Sequence, residues 1–192
     1  MANQKFNSIV GSGILAKLLG KSQRQIQNYA SEDILSVSNE NKNLKFDLYI
    51  VIPEYLQYLE EQYKALIKEI DLQYANYSLA NAARFMALSE SYFSRFFKRR
   101  TEMTFTQYLN LVRVEKAIDL LRTTKLNMTK IATACGFGTI RNFNRMFKRI
   151  TGYSPSTLPA TYSQLQIHPT YEVENAVDPT DARSILLKPS EY

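Results

Sequence analysis

Phe93-Ser94-Arg95-Phe96-Phe97-Lys98-Arg99-Arg100-Thr101 returns, at an offset of 50, as Phe143-Asn144-Arg145-Met146-Phe147-Lys148-Arg149-Ile150-Thr151. Phe93, Phe96 and Phe97 recur at i, i+3 and i+4, and Phe143, Met146 and Phe147 repeat the spacing. That is the apolar stripe of a helix lying on a core. A short apolar helix is predicted before each copy, over Leu79–Met86 and Met128–Cys135. Turns intervene at Ala87-Leu88-Ser89 and at Gly136-Phe137-Gly138-Thr139. The pattern reads helix, turn, helix, written twice. With the stripe facing inward, Ser91, Ser94, Arg95 and Lys98 face out in one copy. Arg141, Asn142, Arg145 and Lys148 do so in the other. Arginine can pair bidentately with guanine, and asparagine with adenine.

Between the copies, Leu109, Val112, Ala117, Leu120 and Leu121 mark an amphipathic helix running from Phe105 to Arg122. Thr104 and Gln107 stand at capping-box spacing before it. A helix of about 18 residues spans roughly 27 Å at 1.5 Å per residue. With its flanking turns, it could hold two recognition helices about 34 Å apart, one turn of DNA.

Charge follows the same boundaries. Residues 1–70 carry 8 basic against 8 acidic side chains, residues 71–160 carry 14 against 5, and residues 161–192 carry 2 against 5. The basic excess sits where the repeat is, as a surface that neutralises phosphates requires. One cysteine, Cys135, rules out an intrachain disulfide and fits a reducing cytoplasm. At the end of an apolar helix it reads as a packing thiol. The single His168 leaves neither a histidine-based triad nor a His/Cys metal site to assemble. Gly136-Phe137-Gly138 is too short for a phosphate loop. No enzyme activity, no cofactor and no membrane segment is expected, and the reading is of a cytoplasmic protein.

Residues 1–70 read as a separate unit. Gly13–Leu19 forms a short helix ended by Gly20, and Ser22 and Gln25 restart one with a capping box. Ser36 to Asn43 is turn-rich, and Leu44-Lys45-Phe46 alternates like a strand. Ile52, Leu56, Leu59, Tyr63, Leu66 and Ile70 then form a heptad-like stripe, with Pro53 placing the helix start near Ile52. Such a stripe serves either its own domain or a homodimer seam over residues 52–70. Residues 163–192 lack periodicity and read as an extended or disordered acidic tail, with Ile185-Leu186-Leu187 as a packing element.

The repeat region resembles the DNA-binding domain of AraC/XylS-family transcription regulators. The resemblance rests on Ser89-x-x-Tyr92-Phe93-Ser94-Arg95-x-Phe97-Lys98, on Tyr108-Leu109-x-x-x-Arg113-x-x-x-Ala117-x-x-Leu120-Leu121 and on Ile131-Ala132-x-x-x-Gly136-Phe137. It continues through Phe143-x-Arg145-x-Phe147-Lys148-x-x-x-Gly152-x-Ser154-Pro155, so it covers residues 78–162, under half the chain. It implies sequence-specific binding of double-stranded DNA and regulation of transcription, with RNA polymerase as partner of an activator. It also implies Ser91, Ser94, Arg95, Ile140, Arg141, Asn142 and Arg145 as base readers, and Lys98, Arg99, Lys148 and Arg149 as phosphate contacts. Three departures stand out. Glu102 replaces a glycine, which predicts a less tight turn; Arg141-Asn142 replaces a small residue and a tyrosine; and Leu158-Pro159 predicts a short last helix.

The first unit resembles winged-helix units of the MerR or phage terminase small-subunit kind. That likeness is carried by Leu15-Ala16-Lys17-Leu18-Leu19-Gly20-Lys21-Ser22-x-Arg24-x-Ile26-Gln27 and Ile34-Leu35. It makes Arg24, Gln25, Gln27 and Asn28 candidates for DNA contact, with a structural or dimerising role as the other reading. The expected architecture is therefore mainly α. It consists of a winged-helix-like unit with a long helix (1–70), two helix-turn-helix motifs joined by a central helix (71–162), and a tail (163–192). A DNA-binding assembly protein of the packaging or recombination type is the alternative function.

Overall fold

The computed structural model describes residues 8–39 and 43–162. His168 and the Ile185-Leu186-Leu187 run lie outside the described residues. The described chain is mainly helical and divides into two compact units within one helix, between Glu61 and Gln62. The boundary read from charge, at 70/71, falls in the same helix.

In the first unit, strand β1 (Ile9–Gly11) pairs antiparallel with β2 (Lys45–Asp47), setting Ile9 opposite Asp47 and Val10 opposite Phe46. Strand β1 leaves no sign in the sequence, because three residues ending in glycine carry no legible alternation. Helix α1 (Ser12–Leu19) stops at Gly20, whose φ of 63° is the left-handed conformation that closes a helix. Helix α2 (Gln23–Ser31) opens with the expected box, the Ser22 hydroxyl accepting from the Gln25 N–H while the Gln25 side chain returns to Ser22. Leu15, Leu19, Ile26, Leu35 and Phe46 fill the core.

Helix α3 runs over Leu48–Gln73 and does not wait for Ile52. The Asp47 carboxylate accepts from the Tyr49 N–H at 3.0 Å and caps the earlier start. Pro53 consequently lies in the second turn. There its missing N–H leaves the Tyr49 carbonyl without a helical donor, at a residue that is exposed to water. The buried stripe also differs from the expected one. It is Val51, Tyr55, Leu59, Tyr63, Leu66 and Ile70, with Ile52 and Leu56 only half-buried. Tyr55 displaces Leu56 because its ring packs on Tyr29, centroids 6.2 Å apart, and aromatic rings bring more buried area than their hydroxyls suggest. This stripe is buried within the chain.

The second unit holds α4 (Leu79–Phe85), α5 (Glu90–Thr101), α6 (Phe105–Thr123), α7 (Met128–Ala134) and α8 (Ile140–Thr151), then a 3-10 turn at Pro155–Thr157. The last is short, as expected. Helix α6 carries the foreseen Thr104–Gln107 box. It is not one-sided, however: Val114 and Ile118 are buried as fully as Leu109 and Val112, whereas Leu120 and Leu121 are half-buried. The reason is that α6 serves two cores. Phe105 and Tyr108 pack on Phe93 and Phe97 of the first motif, at centroid distances of 5.3–5.4 Å. Val114, Ala117 and Ile118 join Ile131, Phe137, Phe143 and Phe147 of the second. Each buried aromatic contributes about 1.5–3 kcal/mol. Among the described residues, no helix is long and apolar enough to cross a membrane.

Candidate nucleic-acid interface

Both recognition helices start from a hydroxyl cap. The Ser89 side chain accepts from the Tyr92 N–H, and that of Thr139 accepts from the Asn142 N–H. Both end on a buried threonine whose hydroxyl donates to the carbonyl four residues back, Thr101 to Phe97 and Thr151 to Phe147, each at 2.8 Å. The helices are therefore equal in length, and the same hydroxyls also engage Met103 and Tyr153 beyond them. Glu102, expected to loosen the first ending, takes φ 58°, against 81° at Gly152. The Gly152 N–H closes back on the Lys148 carbonyl at 2.9 Å, whereas the Glu102 N–H makes no such bond, so the first ending is held less tightly. A side chain in the left-handed region costs about 1–2 kcal/mol.

The first helices of the two motifs repeat at an offset of 49, not 50. Ser78 and Asn127 cap them, and the turn bonds Leu88 N–H to Ala83 O and Phe137 N–H to Ala132 O correspond. Gly138 is the extra residue, inserted where nothing crowds it.

The outward faces are as follows. Ser91, Arg95, Lys98 and Arg99 of α5 are exposed, and Ser94 is half-buried. On α8, Ile140, Arg141, Arg145, Lys148 and Arg149 are exposed, whereas Asn142 is half-buried and its amide oxygen accepts from the Arg145 guanidinium at 3.0 Å. Arg145 is thus held through one terminal guanidinium nitrogen. Asn144, absent from the expected readers, is exposed and occupies the place of Ser94 in the second copy. The offset of 50 alone would have found it. Phe96 and Met146 are half-buried rather than core. Phe96 lies edge-on to Tyr63, and the Arg100 guanidinium sits 4.7 Å from the centre of that same ring. Arg100 thereby belongs to the packing of the motif and not to its outer face.

One arginine fastens the scaffold. Arg113 of α6 donates to the carbonyls of Tyr74, Ala75 and Tyr77 at 3.0–3.2 Å, holding the 3-10 turn Tyr74–Asn76 that precedes α4. Burial pulls its pKa down, and three oriented carbonyls answer the charge. Gly136 touches the same turn: a Cβ there would stand 2.1 Å from the Ala75 oxygen, at φ 78°. Lys116 pairs with Asp71 at 2.7 Å beside it. Cys135, next to Gly136, is fully buried, and burial pushes its thiol up to about 11. It stays a neutral packing group. Among the described residues no cluster of His, Cys, Asp or Glu could hold a metal ion.

In the first unit, Arg24, Gln27 and Asn28 are exposed on α2, whereas Gln25 is half-buried. Its side chain is engaged in the cap, because the third helical position points back at the N-cap.

Residues 82–160 match the family model of a helix-turn-helix domain. YijO of Escherichia coli strain K12, described as an uncharacterized HTH-type transcriptional regulator, is 34% identical over 110 residues, 56% of this chain and 39% of its own length. The HTH-type transcriptional activator RhaS of Klebsiella pneumoniae strain 342 is 42% identical over 74 residues, 38% of this chain and 26% of its own. The crystal structure of the C-terminal domain of the response regulator yesN from Fusobacterium nucleatum is 30% identical, covering 50% of this chain and 95% of that one, with a TM-score of 0.47. The second unit of this chain thus carries a helix-turn-helix domain of the AraC type. The chain spans only 26–39% of the length of the two curated relatives.

Proposed function

We propose that this chain is a transcription regulator that binds specific double-stranded DNA, laying α5 and α8 in successive major-groove segments on one face of the duplex. The observation that carries this is the doubled motif itself, two helices of equal length, each ending on the same threonine bond and each with a basic outward face. Helix α6, 19 residues or about 28 Å long, joins them, a length compatible with readers about one DNA turn apart. In this reading residues 71–162 are the DNA-binding domain. Ser91, Ser94 and Arg95 read one segment, and Ile140, Arg141, Asn142 and Arg145 read the next, with Asn144 added to them. Ile140 offers apolar contact to a thymine methyl. Lys98, Arg99, Lys148 and Arg149 neutralise phosphates and position the helices. The site need not be palindromic, since one protomer supplies both readers.

The finer readings follow from this one. An activator of this type meets RNA polymerase, and such a regulator works in the cytoplasm. The first unit reads as winged-helix-like, a capped helix pair held between two paired strands and followed by a long helix. A homodimer formed through residues 52–70 would have to use the half-buried Ile52 and Leu56, and sedimentation across a concentration series decides it.

Selection from random duplexes tests the main reading. The expected product is a site of two blocks about one helical turn apart, with a steep salt dependence. Binding without base preference would replace the regulator with the assembly-protein alternative. Unchanged affinity and salt slope after joint Arg95→Ala and Arg145→Ala substitution would remove DNA as the ligand of this face.

A further inference from the structure

The helix pair of the first unit is built to the same register as the two motifs of the second. Counting from the capping residue, the first buried side chain of the second helix falls four places on in all three: Ile26 after Ser22, Phe93 after Ser89, Phe143 after Thr139. In all three the capping hydroxyl accepts from the N–H three places on, at Gln25, Tyr92 and Asn142. The two-place position is Arg24, Ser91 and Arg141, exposed each time. The five-place position is Gln27, Ser94 and Asn144, and the six-place position is Asn28, Arg95 and Arg145. A shared cap and a shared core position fix the rotation of a helix about its axis. Arg24, Gln27 and Asn28 therefore present the same three angles as the readers of the second unit, with the side-chain types that reach guanine and adenine edges.

The electrostatics of this pair differ from those of the stretch around it. Residues 1–70 are neutral as a whole, yet residues 8–31 hold Lys17, Lys21 and Arg24 and no acidic side chain. Lys17 and Arg24 are exposed, and so is Lys45 at the start of β2. A cleft of about 340 Å³ runs from Gln23 and Gln27 of α2 to Asn43 and Lys45, so β2 and the outward face of α2 border one opening. The Asn39 amide oxygen accepts from the Lys45 N–H at 2.6 Å and holds the start of that strand. A basic strand beside a recognition helix suits a duplex backbone flanking its groove.

We propose that α1 and α2 form a third DNA-contacting helix-turn-helix, in which Arg24, Gln27 and Asn28 read base edges while Lys17 and Lys45 contact phosphates. The inference rests on the chain being a duplex-DNA binder, and it makes the recognised sequence tripartite.

Selection from random 40-base-pair duplexes with the full chain tests it, followed by footprinting of the selected site. The wild-type site carries three separable blocks of base preference. In the combined Arg24→Ala, Gln27→Ala and Asn28→Ala variant one block is lost, the footprint shortens by about one helical turn, and affinity falls about 10- to 100-fold. Joint Lys17→Ala and Lys45→Ala substitution lowers the salt slope by roughly two counter-ions without changing base preference. Arg24→Glu, a single exposed change, repeats the loss of the block where circular dichroism shows an intact fold. An unchanged motif and footprint in both Arg24 variants overturns the third reader. Arg145→Ala, run in parallel, separates this from the larger reading: if it too leaves binding unchanged, the second unit's role falls as well.

Discussion

The two helix-turn-helix motifs of the second unit reach one backbone with different residues. At the left-handed turn after the first helix, one copy uses Ala87 at φ 51° and the other Gly136 at φ 78°. At the end of the recognition helix, one uses Glu102 and the other Gly152. Three of these four positions leave room for a side chain in principle, at a modest backbone cost. Gly136 does not, because the Ala75 carbonyl presses on it. Glycine is thus optional where only φ is at stake and required where another backbone arrives. The motifs differ also in what they offer DNA. The first presents two serines and Arg95; the second presents Ile140, Arg141, Asn142, Asn144 and Arg145. In the proposed reading, the chemistry for direct base readout is concentrated in α8, and the first motif is expected to discriminate less.

Substitutions can break this comparison in order of size. Gly136→Ala places a Cβ into the Ala75 carbonyl and should cost about 3 kcal/mol or more, read as a loss of melting temperature with DNA binding. Ala87→Gly, the corresponding change in the first copy, should leave stability within about 1 kcal/mol. If both melt alike, the close approach at Gly136 is not the reason for its identity. Arg145→Ala should cost about 1–3 kcal/mol of binding and relax preference at one base pair. Ser91→Ala together with Ser94→Ala should cost less, and the reverse ranking in a binding titration would move the main reader to α5.

Ser89→Ala removes the cap of α5 and should destabilise by about 1 kcal/mol, with Thr139→Ala equivalent in α8. Glu102→Gly is expected to stabilise, by about 0.5–1 kcal/mol, since relief of the left-handed side chain exceeds glycine's added chain entropy. A denaturant midpoint that falls would show that Glu102 makes a compensating contact. The smallest difference at neutral pH separates the equivalent buried residues Met86 and Cys135. Only the cysteine titrates. Its folded pKa of about 11 lies above the ordinary 9.0, so its contribution is whole below about 9 and is lost as pH rises towards 11. Unfolding measured across that window should show a decline that a variant lacking the thiol does not share.

Much of this was legible in the chain itself. The offset repeat, the i, i+3, i+4 aromatics and the Ser/Thr caps are local signals. Local hydrogen bonds and side-chain periodicity act within a few residues, so the helices and most outward positions of the second unit followed from order alone. Ser22 and Thr104 cap as their spacing demands, and Ser89 and Thr139 cap the two later helices as well. What depended on tertiary structure lay at a distance in sequence. The choice of Tyr55 over Leu56 waited on Tyr29, and the two-sided burial of α6 waited on both motifs. The need for glycine at 136 waited on Ala75, and the duty of Arg113 on three carbonyls more than 35 residues away. Periodicity reports which face of a helix is apolar, but not how many neighbours will claim it or which backbone will arrive against it. Those are decided by packing, where steric exclusion and buried charge act between residues that the sequence does not place side by side.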